Sequence, residues 1–414
     1  MNLRSKAYNL LRWSETHTQT DMVYVAKGGF WLVFGQILTS GATFLLAIAF
    51  ANFLPKETYG IYKYILSVAG FLGFLTLTGM NVAVTQAVAR GYEGALKKSF
   101  RIQIQWGLIL FLTTLAGAVY YFTKGNQLLA ISFLIIGLFS PLLNSANTYT
   151  AFLGGKKYFR TLSFYSVISV FFTSIALFLT LLATKNPLPL IIVYFISNTV
   201  INIFFYLKTI NTFKPNLNDD PETISYGKHL SIQNVIATAA AFLDTPLLFH
   251  FFGAADVAVY SFAVSPPEQI KAVFKNVGSL ALPKFSEKSG EEIKKTILRK
   301  VLIFSSVIAL AVAVYIFIAP LAFKIFFPKY VDSVFYSQIY AISIIATAIY
   351  LPNTALQSQI AKKELYYFNI STSILQIILL FVFIYFWGIL GAVLSRVATR
   401  FINLAYSLWL VKKI

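Results

Sequence analysis

Twelve stretches of this chain are long and apolar enough to cross a membrane, each giving roughly the 20 residues a helix needs to span about 30 Å of hydrocarbon. They cover, in round limits, residues 28–52, 59–88, 102–122, 128–152, 161–183, 188–206, 229–252, 257–282, 301–319, 333–351, 367–387 and 388–411. Inside hydrocarbon every backbone N–H and C=O must find its partner within the protein, so runs of this length form helices. The expected fold is an all-α polytopic membrane protein with twelve transmembrane helices, the last two separated only by a turn near Trp387 and Gly388.

The connections are short, which leaves no stretch for a sizeable soluble domain. Charged residues make up 12% of the chain, about half the share usual in soluble proteins, and this excludes a soluble enzyme. The formal charge of +19 is not read as a nucleic-acid signature, because most cations stand in loops, where they set topology and meet anionic membrane lipids. Without cysteine there is no disulfide, thiolate nucleophile or Cys-ligated metal. No metal-ligand spacing, phosphate-cradling glycine loop or Ser-His-Asp set is found, so no cofactor, metal or catalytic residue is expected. His229 and His250 fall at helix ends and read as interfacial residues. Residues 2–13 read as a short interfacial helix, with Leu10, Leu11 and Trp13 toward lipid and Arg4, Lys6 and Arg12 toward phosphate.

Loop cations fix the orientation. Arg90, Lys97, Lys98 and Arg101 follow the second run, Lys156, Lys157 and Arg160 the fourth, and Lys208, Lys214 and Lys228 the sixth. Lys284, Lys288, Lys294, Lys295, Arg299 and Lys300 follow the eighth, and Lys362 and Lys363 the tenth. The odd-numbered connections hold only Lys56, Lys63, Lys124, Lys185, Lys324 and Lys329. The excess of Lys and Arg on one side puts both termini in the cytoplasm.

The chain also repeats itself. "NFLPKETYGIY" after the first run aligns with "HFFGAADVAVY" after the seventh, pairing Tyr62 with Tyr260. "NTYTAFLGGKKYF" after the fourth aligns with "NTALQSQIAKKEL" after the tenth, pairing Asn147 with Asn353. An even helix number per copy keeps both copies in one orientation, so two pseudo-symmetric six-helix bundles around a central cavity are expected. The expected division is an interfacial segment at 1–27, a first bundle at 28–207, a cytoplasmic linker at 208–228 rich in acids and prolines, a second bundle at 229–411 and a tail at 412–414.

Six charges fall within the apolar runs: Asp244, Glu268, Lys271, Lys275, Arg396 and Arg400. Counted at about 1.5 Å per residue from the outer helix ends, Asp244 and Arg396 lie about 10–13 Å deep, and Glu268, Lys271 and Arg400 about 15–20 Å. Intramembrane charges are costly and mark either a ligand path or structural pairs. Mutual neutralisation, Asp244 with Arg396 and Glu268 with Lys271 or Lys275, is the structural reading. Four cations against two anions leave a positive surplus that an anionic ligand would offset. Arg396 and Arg400 share a helix face by their spacing, and guanidinium suits phosphate oxygens. Pro266 and Pro267 either open carbonyls toward a cavity or merely kink the eighth helix. In the first half Gln36, Asn81, Gln86, Asn198 and Asn202 offer hydrogen bonds to sugar hydroxyls, with polar glue between helices as the competing role.

Five motifs then carry a resemblance: "FANFLPKETYGIYKYILS", "LTGMNVAVTQAVARG", "YTAFLGGKKYFR", "FGAADVAVYSFA" and "WGILGAVLSRVATR". Together they make the chain similar, over nearly its whole length, to Wzx-type flippases of the polysaccharide biosynthesis proteins, within the multidrug/oligosaccharidyl-lipid/polysaccharide superfamily. The resemblance implies a non-enzymatic flippase of the bacterial inner membrane. It would carry undecaprenyl-diphosphate-linked oligosaccharides of O-antigen, capsule or exopolysaccharide type outward by alternating access. It also implies that Lys271, Lys275, Arg396 and Arg400 attract the diphosphate, while Asp244 and Glu268 bias packing or couple to H+ or Na+. A polysaccharide polymerase or ligase would be a partner. Relative to lipid II flippases of that superfamily two C-terminal helices are missing, which disfavours a peptidoglycan precursor. A cation-coupled drug exporter of the same fold should favour buried acids over bases, and a glycan ligase or polymerase needs a large external loop.

Overall fold

A computed structural model describes residues 22–274, 285, 289–359 and 361–413. The expected interfacial helix at 2–13, Lys275, Lys284 and Lys288 lie outside the described residues. Among the described residues all regular structure is helical. Eight helices are long and apolar enough to cross a membrane, or ten if each of two bent pairs counts as one span. This is fewer than the twelve expected. The described part of the eighth run carries Pro266, Pro267, Glu268 and Lys271 near its end, and the last two runs form one helical stretch, Lys362–Val411, interrupted at Gly388.

The chain divides into two compact units, with Lys27–Phe242 in one and Leu243–Ile414, together with the first helical turn up to Ala26, in the other. In the first stand α1 (Met22–Phe53), α2 (Lys56–Leu72), α3 (Met80–Ala89), α4 (Ala95–Thr123), α5 (Gln127–Ala146), α6 (Thr148–Gly155), α7 (Phe159–Ala183), α8 (Pro187–Phe213) and α9 (Glu222–Phe242). Two helix starts are capped by their own sequence. Asn126 accepts from the Leu129 N–H at 3.1 Å, and Asn186 accepts from Leu188 at 2.9 Å with Pro187 in the first turn. Small residues set the helix spacing: a Cβ on Gly137 would come within 2.2 Å of the Thr114 hydroxyl, and one on Gly107 within 2.5 Å of Pro141.

The second apolar run is not one straight helix. α2 ends in a 3-10 turn at Gly73–Thr76, Leu77 turns left-handed at φ 56°, and α3 resumes at a bend of 54°. A break in an apolar helix strands backbone groups, and distant polar side chains take them up. Gln103 donates to the Leu77 carbonyl at 3.1 Å and Ser231 accepts from the Gly79 N–H at 3.1 Å, while Asn144 donates to the Thr76 side-chain hydroxyl at 3.0 Å.

The segment at 208–228, expected as a linker, is fastened within its own unit. α8 runs into it to Phe213, α9 leaves it at Glu222, and the turn between them is fastened to the loops of its own unit. The Asn216 N–H donates to Glu93 at 3.0 Å, and the Asn216 amide donates to the Gly91 carbonyl at 3.1 Å and accepts from the Glu93 N–H at 3.2 Å. Lys156 donates to Glu93 at 2.6 Å, Arg90 to Asp220 at 2.6 Å and Lys98 to Asp219 at 3.3 Å. The two compact units divide at Leu243, inside the seventh run. Charge fastens this turn: Asp219 and Asp220 pair with Lys98 and Arg90, cations that a sequence reading treats as free topology signals.

The second unit holds α10 (Asp244–Phe252), α11 (Ala254–Phe274), α12 (Gly290–Phe326), α13 (Ser333–Ile342), a 3-10 segment at Ser343–Ile349, α14 (Tyr350–Ser358) and α15 (Lys362–Val411). α11 stays continuous through Pro266 and Pro267. Within α15, Gly388 adopts φ 53° and ψ −126°. A Cβ on Gly391 would lie 1.8 Å from the Phe383 carbonyl oxygen, although residues eight apart in a straight helix are separated by about 12 Å. The chain therefore doubles back at Gly388, and α15 is two limbs joined by a joint that only glycine permits.

Candidate functional site

The charges expected within the apolar runs converge in the second unit as two neighbouring clusters. Asp244 opens α10, where a helix N-terminus favours a carboxylate. Its Oδ1 accepts from the Thr245 N–H at 2.9 Å. Its Oδ2 accepts from Arg396 Nη2 at 2.7 Å, from Arg396 Nε at 3.2 Å and from the Tyr260 hydroxyl at 2.6 Å. Asp244 and Tyr260 are buried, and the Arg396 side chain is 14% exposed.

One turn further along the second limb of α15, Arg400 reaches Glu268 of α11. Glu268 Oε1 also accepts from the Tyr340 hydroxyl at 2.7 Å, and Oε2 accepts from Lys271 at 2.8 Å. Arg400 donates to Ser343 Oγ at 2.8 Å and to Tyr340 Oη at 2.9 Å. Its guanidinium carbon stands 5.0 Å from the centre of the Tyr340 ring, within cation–π range. Arg400, Glu268 and Tyr340 thus close a three-membered ring of hydrogen bonds.

The pairs of the structural reading, Asp244 with Arg396 and Glu268 with Lys271, are formed, and Glu268 takes Arg400 as an additional partner. Five charges remain in the described site, three cations and two carboxylates, and their sum is +1. Sequence reasoning missed Tyr260, Tyr340 and Ser343. Tyr260 had a signal, its alignment with Tyr62. Both tyrosines are buried, but Tyr62 packs among Phe50, Tyr59 and Tyr194 where Tyr260 meets a carboxylate. Ser343 opens the 3-10 segment between α13 and α14, a break that hydropathy does not reveal.

The first-half amides do not come together as one site. Gln36 donates to Ser40 on its own helix at 3.1 Å, and Asn198 donates back to the Tyr194 carbonyl at 2.8 Å. Asn202 lies one turn beyond Asn198 on α8, half-buried, and Gln86 is exposed on α3. Asn81, near the break between α2 and α3, keeps its Oδ1 buried without a hydrogen-bond partner. His250 closes α10 with its ring against Phe251.

Residues 25–289 match the family described as polysaccharide biosynthesis protein. The "Uncharacterized membrane protein MJ1068" of Methanocaldococcus jannaschii is 22% identical over 94% of this chain and 84% of its own length. Among solved structures, "Lipid II flippase MurJ, inward closed conformation" superposes with a TM-score of 0.67 at 13% identity, covering 94% of this chain and 87% of that one. An inward-facing multidrug resistance MATE family transporter of the MOP superfamily superposes with a TM-score of 0.68 at 14% identity, covering 91% of this chain and 96% of that one. Both likenesses concern the fold.

Proposed function

Since the chain belongs to the polysaccharide biosynthesis protein family, we propose that it is a flippase that moves undecaprenyl-diphosphate-linked oligosaccharide units from the cytoplasmic to the outer face of the cell membrane. The observation that carries this reading is the positive surplus of the charged site, with Arg396 and Arg400 on one face of an apolar limb. A diphosphate has the charge and the paired oxygens that guanidinium groups grip.

In this reading twelve spans form two six-helix bundles that expose the site alternately to either side, with both termini cytoplasmic. The diphosphate competes with Glu268 for Arg400 and Lys271, and Lys275 adds a further cation from the same part of the sequence. Once displaced, Glu268 takes up a proton or a cation, which ties the movement of the cargo to an ion. Asp244 keeps Arg396 in place. Gln36, Asn81, Asn198 and Asn202 face the sugars, and a polymerase or ligase receives the exported unit.

A cation-coupled drug exporter is the second reading the fold allows. It needs a carboxylate turned to a cationic cargo, and Asp244 and Glu268 are both engaged by an arginine and a tyrosine. The deciding experiment depletes the protein and identifies the lipid-linked intermediate that builds up on the cytoplasmic face. Lys271→Ala and Lys275→Ala should abolish surface polysaccharide at normal membrane abundance. If depletion leaves lipid-linked sugars unchanged while drug tolerance falls, the exporter reading replaces this one.

A further inference from the structure

The side of α15 that carries Arg396 and Arg400 continues with Asn403 and Ser407, each three or four residues further on and so in line along one face of the helix. This face runs beside the 3-10 segment and α14, and hydrogen bonds mark two levels of the seam between them. At one level Arg400 donates to Ser343 at 2.8 Å. At the other, about 10 Å along α15, Ser407 donates to Asn353 at 2.6 Å. Both elements run the same way between these levels, so Asn403 on one and Thr347 on the other fall in the interval.

In that interval the pairing stops. Among the described residues Asn403 Oδ1 and Thr347 Oγ1 are buried without a hydrogen-bond partner, and Thr347 as a whole is 4% exposed. Other buried hydroxyls of the same elements return to a carbonyl of their own helix: Ser395 to Ala392, Thr399 to Ser395 and Thr354 to Tyr350. A buried polar group without a partner is costly, and internal water is what commonly satisfies it. The seam offers such water a hydroxyl that can donate and an amide oxygen that can accept.

The two ends of the seam differ. At one, α15 finishes at Val411, and Lys412 and Lys413 are exposed. At the other the Arg400 guanidinium stands between Ser343, on Nη1, and Glu268, on Nη2. Beyond it the side chains of Glu268 and Lys271 are 31% and 30% exposed, so Arg400 separates an open carboxylate from the seam. The charged and titratable groups around Glu268 are Lys271 on its own helix, Arg400 on α15, the Tyr340 hydroxyl of α13 and Tyr350 of α14, which lies within range of its charge. A cation fixed at the mouth of a narrow polar path repels hydronium. The path is therefore shut while Arg400 holds Ser343, and it opens when an anionic cargo draws the guanidinium away.

We infer that the seam between α15 and residues 343–353 is a water-lined proton route joining Glu268 to the end of the unit where α15 finishes, with Arg400 as its stopper. Along it hydronium from the aqueous phase gives its proton to the Glu268 carboxylate, leaving the neutral acid and water, and the reverse transfer returns the proton. The inference rests on Glu268 as the ion-coupling group of the flippase reading and leaves the identity of the cargo open. The test uses the full-length protein in proteoliposomes loaded with a pH-sensitive dye, under an imposed pH difference and without cargo, so its failure is separate from that of the flippase reading. Arg400→Ala should pass protons several-fold faster than wild type, and adding Thr347→Val or Asn403→Leu should return the rate to the wild-type level. Each of these two changes replaces an unpartnered oxygen with an apolar group, so membrane abundance should hold or rise, whereas a structural role would lower it. Thr354→Val, which removes a hydroxyl bonded within its own helix, should leave the leak in place. A wild-type proton rate in Arg400→Ala, a leak that survives both Thr347→Val and Asn403→Leu, or one that Thr354→Val stops equally well overturns the route.

Discussion

Arg396 gives two of its N–H groups, Nη2 at 2.7 Å and Nε at 3.2 Å, to the same oxygen of Asp244, and the Tyr260 hydroxyl reaches that oxygen as well. A carboxylate oxygen held three ways in an apolar setting is costly to deprive of its partner. Arg396→Ala should therefore destabilise the second unit by about 3–5 kcal/mol, and removing both charges should cost far less. Membrane abundance of the two single changes and the Asp244→Ala/Arg396→Ala double change measures this. If the double change restores abundance and surface polysaccharide together, the pair is structural and Arg396 has no part in binding cargo.

Arg400 holds a different position, because its fork spans Glu268, Tyr340 and Ser343 at once. Lysine keeps the charge and loses the planar geometry. Arg400→Lys should leave partial transport and Arg400→Ala almost none, both at near-normal abundance. Tyr340→Phe, which deletes one hydroxyl from the ring of hydrogen bonds, should cost about 1–2 kcal/mol of stability. Equal export by Arg400→Lys and wild type would show that charge alone matters there.

The absence of native cysteine makes topology directly measurable. Single cysteines at Lys98, Lys157 and Lys294 should react with an impermeant thiol reagent only from the cytoplasmic side, and those at Lys124 and Lys185 only from outside. Reaction of Lys98 and Lys124 from the same side would remove the basis of the twelve-span proposal.

Glu93, in the loop that holds Asn216, gives the latch a pH dependence. Burial pushes its carboxyl up, but hydrogen bonds from Lys156 and the Asn216 N–H outweigh this and hold it below its ordinary 4.5. A depressed carboxylate stabilises the fold at pH above its unfolded value and loses that contribution as pH falls through the folded one. The same contact raises Lys156, so its share persists up to 10.5 and fades only as pH climbs through the raised value. Proteolysis at 214–221 should be slow across neutral pH and quicken below 4.5. Glu93→Gln should quicken cleavage at neutral pH and flatten the acid response; a Glu93→Gln profile identical to wild type would assign the protection to other contacts.

Much of this architecture is legible in the sequence because hydropathy is a local property. The apolar runs are mostly helical over their described residues, although the second breaks around Leu77, the ninth lies in a helix that starts at Gly290 and the last two form one stretch. The pairings Asp244 with Arg396 and Glu268 with Lys271 are legible in the sequence, whereas the Arg400–Glu268 pair is not, because only the packing of α15 against α11 brings them together. What stayed hidden depends on residues far apart in the chain. The left-handed turn at Leu77 persists because Gln103 and Ser231 serve the opened backbone around it while Asn144 holds the Thr76 hydroxyl, and nothing near residue 77 announces them. The unit boundary at Leu243 was obscured in the same way, since the acids around Asp219 read as solvated linker until Arg90 and Lys98 are placed against them.

The joint at Gly388 bears on how the chain enters the bilayer during synthesis. An arginine at the middle of a helix costs about 2.5–3.5 kcal/mol when the translocon tests that helix alone, and the limb after Gly388 brings two. The limb before it, with "ILQIILLFVFIYFW", inserts readily. Because Gly391 packs against the Phe383 carbonyl with no loop between the limbs, the two can partition as one hairpin, and the apolar limb offsets the penalty of its neighbour. By then Asp244 and Glu268, made earlier, already await their arginines. A one-glycine hinge thereby couples a charged helix to an apolar one on its way to the carboxylates that pair it.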